Sequence, residues 1–179
     1  MGKTLAEIAA TAGLAPEEAL LETVRANEGR VNIIGRTLSV KNTELAVENP
    51  NSFIASDGAG YTAEESKSGD LVHPRSFGAF AHFWHHFVRD LKVISPQEAI
   101  QKITSGPAQK LKLYGRGAII KNNYADLVIF DPQKIKDRAT YKNPYQYPEG
   151  IEWVIINGQI AVENGNFTGI KAGRILRKS

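Results

Sequence analysis

The stretch that most limits the fold is Phe53-Ile54-Ala55-Ser56-Asp57-Gly58. Its first three residues are apolar without alternation. A strand with that pattern is covered on both faces, the condition of a parallel sheet held between helices. The run stops at an acid and a glycine, and Gly58 predicts a sharp turn. In α/β folds the groups that do chemistry project from the carboxyl ends of strands, so Asp57 is a candidate general base or metal ligand. The Asp-Gly pair also fits a solvated Asx turn, and the residues alone leave both readings open.

The surroundings agree with an α/β layer. Thr4 to Ala12 predicts a helix that opens with a Thr4/Glu7 capping box. A second helix starts at Pro16, where a missing N–H costs nothing, and stops near Asn27 to Gly29. Val31 to Ile34 is a short strand candidate. Ser39 caps a third helix through Val47, which Asn49-Pro50 terminates. The order helix, helix, strand, helix, strand predicts a parallel sheet. Residues 57–76 then form a long loop rich in Gly, Ser, Glu and Lys, of a length without periodicity that marks either a functional lid or a disordered segment, ending at His73-Pro74-Arg75. Phe77 to Leu91 predicts a helix crowded with aromatics and histidines, and Ser95-Pro96-Gln97-Glu98 a further helix start.

After Gly106-Pro107 the character changes. A short helix over Ala108 to Leu113 leads into an apolar strand within Ala125 to Asp131. Two more strands follow within Trp153 to Val162, folded about Asn157-Gly158, a strong hairpin signal. This tail is a small β module, with its boundary near residues 107–115.

At 179 residues the chain can bury one good core or the cores of two modest modules. Its net charge is only +3, and its basic residues are scattered apart from the tail Arg174 to Lys178, so a nucleic-acid partner is not expected. There is no cysteine, which excludes a disulfide framework, a zinc ribbon and a thiol nucleophile within the chain. No apolar run approaches the roughly 18 residues of a membrane span, and Met1-Gly2-Lys3-Thr4 lacks a leader's apolar stretch. A cytoplasmic location is the expectation.

Other chemistry-bearing residues read as structural. His82 and His86 share a helix face, as in helical zinc pairs, but no Glu stands at the second position and no third ligand at a sensible spacing. With Phe80, Phe83, Trp84 and Phe87 around them, His82, His85 and His86 read as the polar edge of an amphipathic helix. No metal ligand is assigned. Asp126 and Asp131 read as turn and strand-end residues. Gly115-Arg116-Gly117 lacks the glycine and lysine that follow in a phosphate loop. Asn166-Phe167-Thr168 fits a glycosylation sequon, which has no meaning without secretion.

Several motifs together resemble a known family. Ser56-Asp57-Gly58, His73-Pro74-Arg75-Ser76-Phe77-Gly78, Thr104-Ser105-Gly106-Pro107-Ala108, Ala125-Asp126-Leu127-Val128-Ile129-Phe130-Asp131-Pro132, Tyr147-Pro148-Glu149-Gly150-Ile151 and Val154-Ile155-Ile156-Asn157-Gly158 are similar to the carboxyl-terminal part of D-aminoacylases. These are N-acyl-D-amino-acid deacylases of the amidohydrolase superfamily. The resemblance runs through nearly the whole chain.

It implies an α/β fold: the last units of a (β/α)8 amidohydrolase barrel in residues 1–110, followed by strands of a composite β-sandwich in 111–179. It implies a zinc enzyme hydrolysing a small N-acyl-D-amino acid. Asp57 would be general base and then acid, taking a proton from a metal-bound water and returning it to the leaving amine. Arg75 would bind the substrate's α-carboxylate, with His73 beside it. The family's His-x-His pair and metal-binding Cys have no counterpart here, so the zinc ligands would lie upstream. A barrel takes about 250 residues, so the chain would be roughly the last third of such an enzyme, its metal site either lost by truncation or supplied by a separate chain carrying the missing amino-terminal part. Where the family has Phe-Pro-Arg this sequence has Phe80-Ala81-His82. The alternative expectation is an inactive fragment that serves packing or oligomerisation.

Overall fold

The computed structural model of the chain describes residues 2–35, 37–69 and 71–176. Arg177 and Lys178 of the basic tail lie outside the described residues.

Helices begin where the caps are. In α1 (Leu5–Ala12) the Glu7 N–H donates to Thr4 Oγ1 at 3.2 Å, and Glu7 Oε2 accepts from the Thr4 N–H at 2.7 Å. Helix α2 spans Pro16–Ala26, and Glu18 accepts from the Ala15 N–H at 3.3 Å. Helix α3 (Val40–Glu48) starts at Ser39, whose Oγ accepts from the Asn42 N–H at 3.4 Å. Each contact satisfies a donor that the helix start leaves free.

Two expected strands are not strands. Val31 to Ile34 and Phe53 to Ala55 pair with nothing in a ladder. A strand exists through the N–H and C=O groups of its neighbour. The described residues supply no neighbour; the Ile54 N–H finds only the Lys102 carbonyl, at 3.4 Å. The parallel layer is therefore not formed among the described residues.

The long loop carries a 3₁₀ helix over Ala63–Ser68. Beyond it, one expected helix is two. Helix α4 (Arg75–His82) passes into a π-helix, Phe83–Asp90, in which the Leu91 N–H reaches five residues back to the His86 carbonyl at 2.9 Å. Phe83, Trp84, Phe87 and Val88 are all buried. Their repeat of four exceeds the 3.6 residues of an α-turn, and the wider turn keeps all four on one face. Helices α5 (Pro96–Ile103) and α6 (Ser105–Lys110) follow, α6 three residues earlier than the sequence suggests. The core joins the π-helix to Val47, Ala81, Ile94, Ala99 and Ile135.

The tail is a four-stranded antiparallel meander in the order β1 (Leu127–Phe130), β2 (Ile151–Ile156), β3 (Gln159–Glu163), β4 (Asn166–Phe167). Asn157 and Gly158, at φ 49° and 79°, form the expected turn between β2 and β3. Asn164-Gly165 repeats the same geometry before β4, a strand absent from the sequence reading. Among the described residues no second sheet faces this one.

The accessible surface is 13117 Å². A compact monomer of 19.6 kDa exposes about 8,600 Å² by the usual mass scaling. Much of the surplus is apolar: Leu38, Ile119 and Ile175 are 84, 90 and 86% exposed.

Candidate active site

The structure brings the three sequence-predicted site residues together. Asp57 Oδ2 lies 3.1 Å from Arg75 Nη2. The Asp57 carboxyl is 87% exposed, far from the sealed layer that would bar it from chemistry. Asp57 itself takes the left-handed turn, at φ 46°, a conformation uncommon outside glycine and frequent at functional sites. Gly58 was expected to supply that turn. Its contribution is instead close approach: a Cβ there would stand 2.8 Å from the Ser76 Cα. The glycine lets the Asp57 turn lie against the start of α4, where Arg75 is the first residue.

His73 organises the same corner. Its Nδ1 accepts from the Arg75 N–H at 3.1 Å, which folds His73-Pro74-Arg75 into a tight turn. Its Nε2 lies 3.5 Å from the Tyr141 hydroxyl, and the two rings meet edge to face at 5.3 Å. Burial pushes its pKa below the ordinary 6.5, and Arg75 adds to this against the pull of Asp57. The imidazole is thus neutral at pH 7. Tyr141 was not foreseen: it lies 68 residues from His73, in a stretch with no periodic signal.

Aromatic residues hold the loop down. Phe77 meets Tyr145 and Tyr147 at 5.5 Å each, and Tyr61 meets Tyr145 at 6.3 Å. The Tyr147 hydroxyl accepts from the Ala63 N–H at 3.3 Å. The Tyr-Pro-Glu-Gly-Ile motif therefore packs beside the loop that links Asp57 to Arg75.

Arg116 has a structural use. Its guanidinium pairs with Asp126, donates to Asn157 Oδ1 at 2.7 Å and lies 4.2 Å over the Tyr124 ring. It ties the Gly115–Gly117 loop to the β2–β3 turn. Asp131 accepts from the Gln133 N–H at 2.8 Å, an Asx turn.

The histidines of the α4/π-helix junction do find a third partner. Asp137 places Oδ1 2.8 Å from His85 Nδ1 and Oδ2 3.4 Å from His82 Nδ1. His86 stacks on His82 at 5.0 Å. Asp137 lies 52 residues beyond His85, so spacing along the chain could not reveal it. The only advance signal was Gly78, whose missing Cβ leaves room for Asp137; a Cβ there would stand 2.7 Å from the Asp137 Cβ.

No helix is long and apolar enough to cross a membrane among the described residues. The sequence profile of the amidohydrolase family matches residues 6–162. The chain is 37% identical over 107 residues to a D-aminoacylase of Alcaligenes xylosoxydans xylosoxydans, covering 60% of this chain and 22% of that protein. It is 30% identical over 176 residues to an N-acyl-D-aspartate deacylase of the same organism, covering 98% and 33%. A solved D-aminoacylase superposes with a TM-score of 0.79 at 31% identity, over 96% of this chain and 34% of that one. Another solved D-aminoacylase, studied for its binuclear metal centre, gives 0.77 at 29% identity over 97% and 34%. The chain thus spans about a third or less of the relatives it matches. A profile match over most of its length, with matching folds on either side of Asp57, shows that this chain belongs to the amidohydrolase family.

Proposed function

We propose that the chain is the carboxyl-terminal portion of a zinc-dependent amidohydrolase that cleaves N-acyl-D-amino acids to a D-amino acid and a carboxylate. Residues 1–110 would supply the last units of a (β/α)8 barrel and residues 111–179 strands of a composite sandwich. The observation that carries this reading is the open Asp57–Arg75 pair, formed at 3.1 Å across the long loop.

The chemistry divides between the two residues. The guanidinium of Arg75 is a planar fork suited to a substrate α-carboxylate. When it turns to that carboxylate, Asp57 loses its partner. The freed carboxylate can then accept a proton from water as general base and return it to the departing amine as general acid. Neutral His73 holds the Arg75 backbone in place and borders the substrate end of the loop.

Zinc enters through the relatives. Among the described residues, the ligand trio close enough to share an ion excludes Asp57. The residues present therefore do not complete a zinc site around Asp57, and the remaining ligands belong to a portion of such an enzyme that this chain does not span. The surplus apolar surface supports the same view, since a completed barrel and sandwich would cover it. That surface equally favours a second reading, an inactive fragment whose role is packing or oligomerisation.

The test is complementation. The 179-residue chain is combined with the upstream two-thirds of a related deacylase and zinc, and hydrolysis of an N-acetyl-D-amino acid is followed. Activity is expected, with Asp57→Asn lowering kcat by about 10²- to 10⁴-fold and Arg75→Ala acting mainly on KM. A stoichiometric, folded assembly without hydrolysis would overturn the enzyme reading in favour of the packing module.

A further inference from the structure

We propose that His82, His85 and Asp137 form a binding site for a divalent transition cation of the zinc class, a staple between the helical layer and the segment that leads into the sheet. The site uses none of Asp57, His73 or Arg75, and it stands or falls independently of the deacylase reading.

Three ligand atoms, one from each residue, lie within 4.8 Å of one another. Two imidazole nitrogens and a carboxylate oxygen are a donor set that suits zinc, cobalt, nickel and copper, and three protein ligands leave positions open for water. An ion about 2.0–2.2 Å from each ligand needs them no more than about 4 Å apart. His82 is the ring with room to close that gap: its side chain is 48% exposed, against 13% for His85 and 17% for Asp137. Access and preorganisation are thus split, with two ligands set in the structure and one at the mouth.

The framework around the ligands is built rather than incidental. Segment 132–137 is strapped along the π-helix by hydrogen bonds to its backbone. Trp84 Nε1 donates to the Pro132 carbonyl at 3.1 Å. Arg89 Nη1 donates to the carbonyls of Gln133 and Ile135 at 3.0 and 2.9 Å. Ile135 is buried in the core beside Ala81, Phe83 and Trp84. These straps deliver Asp137 to the histidines, and Gly78 gives it space. The α-to-π transition falls between His82 and His85, and such widened turns recur at functional sites. No lysine or arginine lies within ion-pair distance of Asp137 among the described residues. Its two oxygens each face an imidazole nitrogen, an arrangement that a cation completes.

The alternative is a hydrogen-bonded His–Asp–His cluster with no ion. Asp137→Asn separates the two, because its amide can still accept from one imidazole through its oxygen and donate to the other through its nitrogen but binds a cation poorly. The full 179-residue chain, stripped with chelator, is titrated with cobalt(II) and with zinc. One equivalent is expected to bind, with visible cobalt bands and a rise in thermal midpoint that grows with metal concentration. Asp137→Asn, and separately His82→Gln at the exposed ligand, should each weaken binding by about tenfold or more. Circular dichroism checks that both variants keep the wild-type fold. Absence of cobalt bands and of a midpoint shift in the wild type would overturn the proposal. So would undiminished binding in a folded His82→Gln or Asp137→Asn variant, which would assign the cluster to hydrogen bonding alone.

Discussion

Lys102→Met should destabilise the chain by about 2–3 kcal/mol, although no carboxylate lies within ion-pair distance of this lysine among the described residues. Lys102 stands in the last turn of α5 with 6% of its surface exposed. Its ammonium donates to the Asn49 carbonyl at 2.5 Å, the Ser52 carbonyl at 3.1 Å and Ser52 Oγ at 2.9 Å. All three donors are used. Asn49 is the C-cap of α3, so the ammonium also lies beside the partial negative end of that helix. The Asn49–Ser52 turn leads directly into Phe53 to Asp57, and Lys102 therefore anchors the segment that carries the candidate base. Methionine keeps the apolar stem and removes the donors. A hydrogen bond from a charged donor contributes about 1.5–3 kcal/mol. Three would exceed the expected loss, but neither Asn49 nor Ser52 is buried, so water recovers part of it. Removing a buried ammonium also removes its desolvation cost. At about 2–4 °C per kcal/mol for a chain of this size, Tm should fall by roughly 5–10 °C. Urea unfolding followed by circular dichroism measures the effect, with exposed Lys110→Met as control. A Lys102→Met variant within about 0.5 kcal/mol of wild type would refute the anchoring argument.

Gly150→Ala should cost about 2–5 kcal/mol, because φ is 81° there and a Cβ would stand 2.4 Å from the Ile135 backbone nitrogen, which no rotamer can relieve; a wild-type denaturation midpoint would contradict this. The pH dependence of stability should carry a His73 contribution. Burial, then Arg75, lowers its folded pKa below 6.5, with Asp57 opposing and the Tyr141 hydroxyl at its far nitrogen. The unfolded chain thus binds that proton more readily, and the stability is fully present above the ordinary pKa and lost as pH falls through the lowered one. Midpoints measured between about pH 7 and pH 5 should fall less steeply in His73→Gln than in wild type; parallel profiles would show that His73 is not responsible.

Parts of this structure were legible because their physics is local. The Thr4/Glu7 and Ser95/Glu98 capping boxes, Pro16 at a helix start and the Asn157-Gly158 turn each complete their interactions within about four residues. Asn164-Gly165 is equally local, with the same left-handed pair of φ angles. The motifs about Asp57 and Arg75 likewise named the two candidate residues that the structure brings to 3.1 Å of each other.

What the order of residues could not decide were pairings made across long separations. Phe53 to Ala55 has the composition of a buried strand, yet a strand requires a neighbour's backbone groups, and the described residues offer none. The helix pattern over Phe77 to Leu91 hid an α-to-π transition, because that depends on which four side chains the core takes in. Nothing in its neighbours along the chain sets Lys102 apart; its burial arises where the α3 terminus meets α5. Asp137 reads as one acid among several until Trp84 and Arg89 strap its segment beside His82 and His85. Local hydrogen bonds and turn conformations are written in neighbouring residues; burial, register and convergence of ligands arise only when distant segments meet.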